Sequence, residues 1–255
     1  MPKRIKKSPL LLGVLRRAYK LPDKQLLPFI TNEALFFNVQ KVIDKALLAA
    51  KKSEENLHSN VLDPFSAVFD ASCQGISLKD WIKLEKSRQI QKTLQNAIGD
   101  FHQDTIGSIS TWENLPTGGI VDVRNKNRKI IAEIKNKYNT TKFSDRPAYY
   151  DSLKHLIEGD YAGYTSYYVE VIPDGRKVYN EPFTPSDHIQ KGKKPANEKI
   201  RLVDGKTFYQ IATGQKDALQ KLYEIVPYVA STILGFRVEK ITEDKLFSEL
   251  FKQAY

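Results

Sequence analysis

Two hundred and fifty-five residues, 41% hydrophobic and 27% charged, hold enough apolar material for one large globular unit or two small ones and exclude collagenous and disordered classes. A single cysteine, Cys73, excludes an internal disulfide, and four scattered histidines offer no zinc-ligand spacing, so the chain reads as cytosolic and without a structural metal. Forty Lys and Arg against thirty Asp and Glu leave a net charge of +10, which suits a polyanion, nucleic acid first among them.

The basic excess is concentrated. Residues 1–20 carry seven basic side chains and no acid, a basic N-terminal arm; the apolar run from Leu10 to Leu15 is too short for a signal peptide and ends in Arg16-Arg17. Thr31 and Asn32 are placed to cap a core-facing helix marked by Leu35, Phe36, Val39, Val42, Ile43, Ala46, Leu47 and Ala50. Asp63-Pro64 opens a short helix that stops near Gly75. Ser77 opens a longer one whose apolar marks, Trp81, Leu84, Ile90, Leu94, Ala97, Ile98 and Phe101, put Glu85 beside the buried stripe.

After Gly107 the texture changes. Behind the breaker Pro116-Thr-Gly-Gly119, two β-branched runs, Ile120–Arg124 and Lys129–Ile134, flank Asn-Lys-Asn and predict a hairpin. Tyr164–Ile172 reads as a third strand and Phe208–Ala212 as a short fourth. The stretch 173–206 reads as a long basic loop. Lys216–Leu234 is a predicted helix with Pro227 kinking it, and Thr242 is placed to cap a last amphipathic helix bearing Leu246, Phe247, Leu250 and Phe251 on one face. No linker divides the chain, so the expectation is one domain over 1–255, α/β or α+β, with a central mixed sheet flanked by helices.

The chemistry sits in that hairpin: Asp122, ten residues, then Glu133-Ile134-Lys135. A two-residue turn at Lys126-Asn127 sets Asp122 diagonal to Glu133 at roughly 7–8 Å on one face, with Lys135 on it too. Val121, Val123, Ile130, Ala132 and Ile134 then form the opposite, apolar face. Two carboxylates beside an ammonium group fit Mg²⁺-assisted phosphodiester hydrolysis, the lysine orienting water and offsetting phosphoryl charge. By spacing alone, an exposed hairpin rich in Lys and Glu has the same pattern.

The segment GGIVDVRNKNRKIIAEIKNKYNTTKFSDRPAYYDSL, with the preceding helix bearing Glu85, Arg88 and NAIGDFHQDTIGSI, resembles type II restriction endonucleases of the PD-(D/E)xK superfamily. It looks most like the group that cuts GGNCC or GGWCC. The resemblance runs from about Trp81 to Ile233 and departs from the superfamily's motif in having Val121 where a proline gives it its name. It implies that Asp122 and Glu133 bind Mg²⁺, that the Ile134 carbonyl adds a ligand, that Lys135 positions water and that Glu85 supports the site. It further implies duplex DNA as substrate, a bacterial cytoplasmic setting and a companion DNA methyltransferase linked by function. A non-catalytic nucleic-acid-binding module and a repair or junction-resolving nuclease stand as alternatives.

A palindromic target predicts a two-fold homodimer, with the last helix as one candidate contact. Lys191, Lys193 and Lys194 are predicted phosphate contacts, and the planar forks of Arg146, Arg176 and Arg201 the base readers. The tyrosines at 149, 150, 161, 164, 167 and 168 are expected to pack rather than stack on bases. Cys73 and His102 lack a partner for nucleophilic catalysis and are read as core or polar-satisfied residues.

Overall fold

The structure, a computed structural model, describes residues 19–55, 61–187, 191–235 and 242–255. Most of the basic N-terminal arm, His58 and His188 lie outside the described residues. Helices come first: α1 (Asn32–Glu55), α2 (Pro64–Gln74) and α3 (Leu78–Gly107). The Thr31 hydroxyl caps α1 through the Ala34 N–H, Asp63 caps α2 through Phe65 and Ser66, and Ser77 caps α3 through Asp80. Gly75, at φ 64°, ends α2 in the left-handed region that a side chain would strain.

The sheet then assembles from β1 (Trp112–Asn114), β2 (Val123–Asn125), β3 (Ile130–Lys137), β4 (Thr165–Ile172), β5 (Asn180–Pro182) and β8 (Ile200–Asp204), in the order β1-β2-β3-β4-β8-β5. β3, β4 and β8 run parallel and the outer pairings are antiparallel, a mixed sheet as expected. Between β5 and β8 lies a two-stranded ribbon, β6 (Ser186–Asp187) with β7 (Gly192–Lys193). The stretch 173–206 is therefore structured where a loop was expected.

Four further α-helices follow or interrupt the sheet on described residues. α4 (Arg146–Glu158) fills a segment to which the sequence patterning assigns no element. α5 (Gly205–Thr213) replaces the strand expected at Phe208–Ala212, because Asp204 accepts the Thr207 N–H and starts a helix there. α6 (Ala218–Leu234) continues through Pro227, and α7 (Lys245–Ala254) is capped by Asp244 rather than Thr242. Phe247 and Phe251 of α7 pack on Tyr223 of α6, which leaves Leu246 and Leu250 exposed.

Alternation along the strands feeds two cores. Ile130, Ala132, Ile134, Val169, Val171 and Val203 face α1, α3, α5 and α6, while Ile131, Tyr168 and Ile200 face Tyr150 and Leu153 of α4. In the second core Tyr168 stacks on Phe183 with centroids 4.8 Å apart. Burying each such side chain contributes about 1.5–3 kcal/mol, so the two cores fix the plane of β3 firmly on both sides.

Candidate active site

The β2–β3 hairpin differs from the expected register by two residues. Val123 pairs with Ala132 and Asn125 with Ile130, leaving a four-residue loop, 126–129. Asn125 builds that loop: buried beneath it, its side chain accepts the Arg128 N–H and donates to Thr111 Oγ1, and Lys129 closes the turn at φ 51°. A shift of two keeps parity, so Glu133 and Lys135 stay on one face.

Asp122 is placed by a β-bulge. Its N–H donates to the Ala132 carbonyl, the residue already opposite Val123, so two residues of one strand face one of the other. The extra residue also reverses Val121, which joins Ile131 in the α4-side core instead of lining up with Val123; the expected five-residue apolar face thus has four members. The bulge directs the Asp122 carboxylate past the end of β2, where its Oδ2 accepts the Ile134 N–H at 2.7 Å.

There Asp122 and Glu133 come close enough to share a proton. Burial first, and then the Asp122 charge, push the Glu133 carboxyl up to about 7 against the pull of Lys135. Burial also raises Asp122, Asp100 adds to it, and the Ile134 N–H bond works the other way. Lys135 Nζ stands 2.5 Å from Glu133 Oε1 and 4.8 Å above the Tyr149 ring. Burial works against its ammonium, but the Glu133 carboxylate outweighs burial and holds the proton on.

These groups open onto a cleft of about 610 Å³ between β3 and α3, lined by Gln95, Asn96, Gly99, Asp100 and Gln103 on the helix and by Asp122 and Glu133 to Lys137 on the hairpin. Among the described residues no group of three or more His, Cys, Asp or Glu side chains is placed to hold a metal ion. The donor set nevertheless suits a hard cation that keeps several waters: two adjacent oxygen-donor carboxyls, the Asp122 charge disfavouring that of Glu133, at the mouth of an open cleft. Ile134 lies beyond the residues that β2 pairs, and its carbonyl leaves the backbone on the same side as the N–H that reaches Asp122.

Glu85 is buried, as its helical phase requires, but does not line the cleft. Its carboxylate is bonded to Arg88 and Gln89 one turn along, and those bonds outweigh burial to hold it charged. The α3 acid that lines the cleft is Asp100, paired with Lys45 of α1. The signal for it lies in the polar stripe Asn96, Asp100 and Gln103 with Gly99, which repeats at helical spacing along the C-terminal half of α3.

Four of the six residues expected on DNA are engaged elsewhere. Arg146 is paired with buried Glu170 and lies over Phe143, with Tyr168 and Phe183 nearby, so it cannot fork onto a base without leaving the core. Lys194, also buried, joins Asp151 at 2.8 Å to Asp187 at 3.1 Å and pins the β6–β7 ribbon to α4. Arg201 bridges Asn180 and Glu198, and Arg176 donates to Gln253. Lys191 and Lys193 remain exposed on the ribbon. The tyrosines pack as expected, with Tyr150 and Tyr168 buried, Tyr161 edge-on to Tyr164 and Tyr149 edge-on to Tyr168. His102 is buried and bonded to Tyr209, whereas Cys73 is exposed.

Residues 27–235 match the family model of the Eco47II restriction endonuclease. The chain is 39% identical over 238 residues to the type II restriction enzyme Eco47II of Escherichia coli, across 90% of this chain and 99% of that protein. It is 31% identical over 233 residues to the type II restriction enzyme Sau96I of Staphylococcus aureus, across 89% of each. No solved structure matches.

Proposed function

The chain belongs to the Eco47II restriction endonuclease family and is a site-specific endonuclease acting on double-stranded DNA; from that premise we propose that it cuts a short G/C-rich palindrome of the GGNCC or GGWCC kind with Mg²⁺ at Asp122 and Glu133. The observation that carries the metal assignment is the pair of carboxyls brought together at the cleft mouth, where the Asp122 charge disfavours that of Glu133 and a divalent cation would balance both. The Ile134 carbonyl is proposed as a third oxygen ligand, with Asp100 facing the site from α3 in the supporting role first expected of Glu85. Bound there, Mg²⁺ would supply Lewis acidity toward the phosphodiester.

The chain's own groups do the rest. Asp122 and Glu133 would hold the cation, and Asp122 is kept in place by the strand that carries Glu133. Lys135, protonated and within reach of Glu133, orients the attacking water and offsets charge growing on the phosphoryl oxygens, an interaction stronger in the transition state than before it. α3 walls one side of the cleft in which the scissile phosphate would lie.

The proposal extends to a single catalytic domain working as a two-fold homodimer, one cleft per strand, in a bacterial cytoplasm beside a methyltransferase that protects the host site. No helix among the described residues is long and apolar enough to cross a membrane. The test is digestion of a defined plasmid with Mg²⁺ and with chelator, followed by sequencing of the ends. Discrete fragments sharing one GGNCC-type site, lost on chelation, are expected. Binding without cutting, or nicking confined to branched junctions, would refute the assignment in favour of a DNA-binding module or a junction nuclease.

A further inference from the structure

The first turn of α4 matches two residues of the helix to two of the sheet. Lys135 and Glu170 are register partners on the neighbouring parallel strands β3 and β4. Strands stand about 4.8 Å apart, and helix residues three apart have Cβ atoms about 5–6 Å apart, so one helical turn covers both. Arg146 pairs with Glu170, and the Tyr149 ring lies 4.8 Å from the Lys135 ammonium. The acid thus receives a guanidinium, whereas the lysine receives a ring where a carboxylate would be the ordinary partner.

That partner suits a lysine placed beside a metal and a phosphate. Glu133 holds the ammonium at 2.5 Å, yet the same carboxylate is the proposed metal ligand and cannot give its full charge to both. Lys135 therefore needs a second partner for which the metal does not compete. A carboxylate in the place of Tyr149 would draw the metal and repel the scissile phosphate. The face of an aromatic ring attracts an ammonium group through its quadrupole while carrying no net charge.

The ring is itself held in place. Tyr149 stands edge-on to Tyr168 with centroids 5.5 Å apart. Tyr168 is buried, stacked on Phe183 and bonded through its hydroxyl to Thr141 Oγ1 at 2.7 Å. Arg146 on Glu170 and Asp151 with Lys194 fasten α4 on either side of Tyr149. A lysine stem has many rotamers to lose, so a ring already fixed beneath its ammonium selects one position without itself having to be ordered.

We propose that Tyr149 is the positioning residue for Lys135, its ring face keeping the ammonium at the cleft when Glu133 is engaged by metal. The proposal rests on the role given to Lys135 above and adds the group that holds it there. Tyr149 acts through the lysine, and the ring rather than the hydroxyl carries the effect.

The test reads the contact and its consequence separately. Proton–carbon NMR of the full chain labelled at lysine Cε, with Lys135 assigned through Lys135→Arg, reports the contact; steady-state cleavage of a cognate duplex reports the consequence. In wild type and in Tyr149→Phe, ring current should move the Lys135 ε-methylene protons upfield of the other lysines, with or without Mg²⁺. Tyr149→Leu is expected to lose that shift and to lower kcat about tenfold with KM within about twofold, whereas Tyr149→Phe keeps kcat within about twofold of wild type. A purely structural role would lower stability without this division between kcat and KM. If Tyr149→Leu unfolds below the assay temperature, Tyr149→Met, whose flexible chain adapts to the gap beside Tyr168, is read in the same way. An unshifted Lys135 in wild type overturns the proposal, as does loss of the shift on adding Mg²⁺. It is equally overturned by a Tyr149→Leu protein that cuts at the wild-type rate, or by a Tyr149→Phe protein that falls as far as Tyr149→Leu, which would assign the effect to the hydroxyl. The role of Lys135 fails separately, through a Lys135→Ala variant that cuts at the full rate.

Discussion

The Ile134 N–H donates to Asp122 Oδ2 at 2.7 Å, so the strand that carries the second carboxylate of the cleft also holds the first in position. Asp122→Asn preserves an acceptor for that bond while removing the charge. It is expected to lower the cleavage rate by at least about 10²–10³-fold, as are Glu133→Gln and Lys135→Ala, with unchanged far-ultraviolet circular dichroism. Full activity in Glu133→Gln would remove Glu133 from the site.

Asp100 and Glu85 separate two roles on one helix. Asp100→Asn is expected to reduce cleavage about tenfold or more and to raise the Mg²⁺ concentration needed for half-maximal rate, since it lines the cleft and acts on Asp122. Glu85→Gln keeps the Gln89 contact and lies far along α3, so cleavage should stay within about twofold of wild type while thermal stability falls through the lost Arg88 pair. Parallel Mg²⁺ titrations of the two variants check both statements.

Arg146 should matter for stability rather than for sequence choice. Removing one member of a buried ion pair leaves the other uncompensated, and Arg146→Ala is expected to cost about 3–5 kcal/mol in urea unfolding. Pairing it with Glu170→Gln should recover part of that loss. A stable Arg146→Ala protein with altered site preference would return Arg146 to the DNA.

On the ribbon, Lys191→Ala with Lys193→Ala should weaken cognate and scrambled duplexes alike. Each lost phosphate contact flattens the slope of log K against log salt by about 0.9, so a change near 1.8 is expected from the pair. Lys194→Ala is expected to leave the slope unchanged and to loosen the ribbon, because its ammonium is spent on Asp151 and Asp187.

His102 gives the fold an acid limit. Burial lowers its pKa from 6.5 to about 4, so the folded protein refuses a proton that the unfolded chain accepts below 6.5. Stability contributed by the neutral ring is complete above pH 6.5 and falls by about 1.4 kcal/mol per pH unit down to about 4, some 3 kcal/mol in all. Unfolding free energies of wild type and His102→Gln between pH 7 and 4 measure it; the substitution should flatten the slope across that window.

The parts of this fold legible in the sequence are those set by neighbours in the chain. Asp63, Ser77 and Gly75 announce their helix ends because capping is local, and the shared face of Glu133 and Lys135 survives a wrong register because side chains alternate with period two. The register itself was hidden in Asn125, whose side chain builds a four-residue turn that Asn-Lys-Asn does not advertise. Glu85 is buried, as its helical phase indicates, but its partners are three and four residues away rather than across the fold. Arg146 shows the converse, since nothing in DRPAYY points to Glu170 on another element.

Lys135, Glu170 and Asp204 face one another across three adjacent parallel strands, a single row of ionic side chains at one level of the sheet. Each is tied to a different element: Lys135 to the cleft, Glu170 to Arg146 and Tyr179, and Asp204 to the first turn of α5. Amide hydrogen exchange along this row should therefore be cooperative, with the cleft lysine, the α4 anchor and the α5 cap opening as one unit and not strand by strand. The reacting end of the sheet would then be lost only in a large, infrequent excursion.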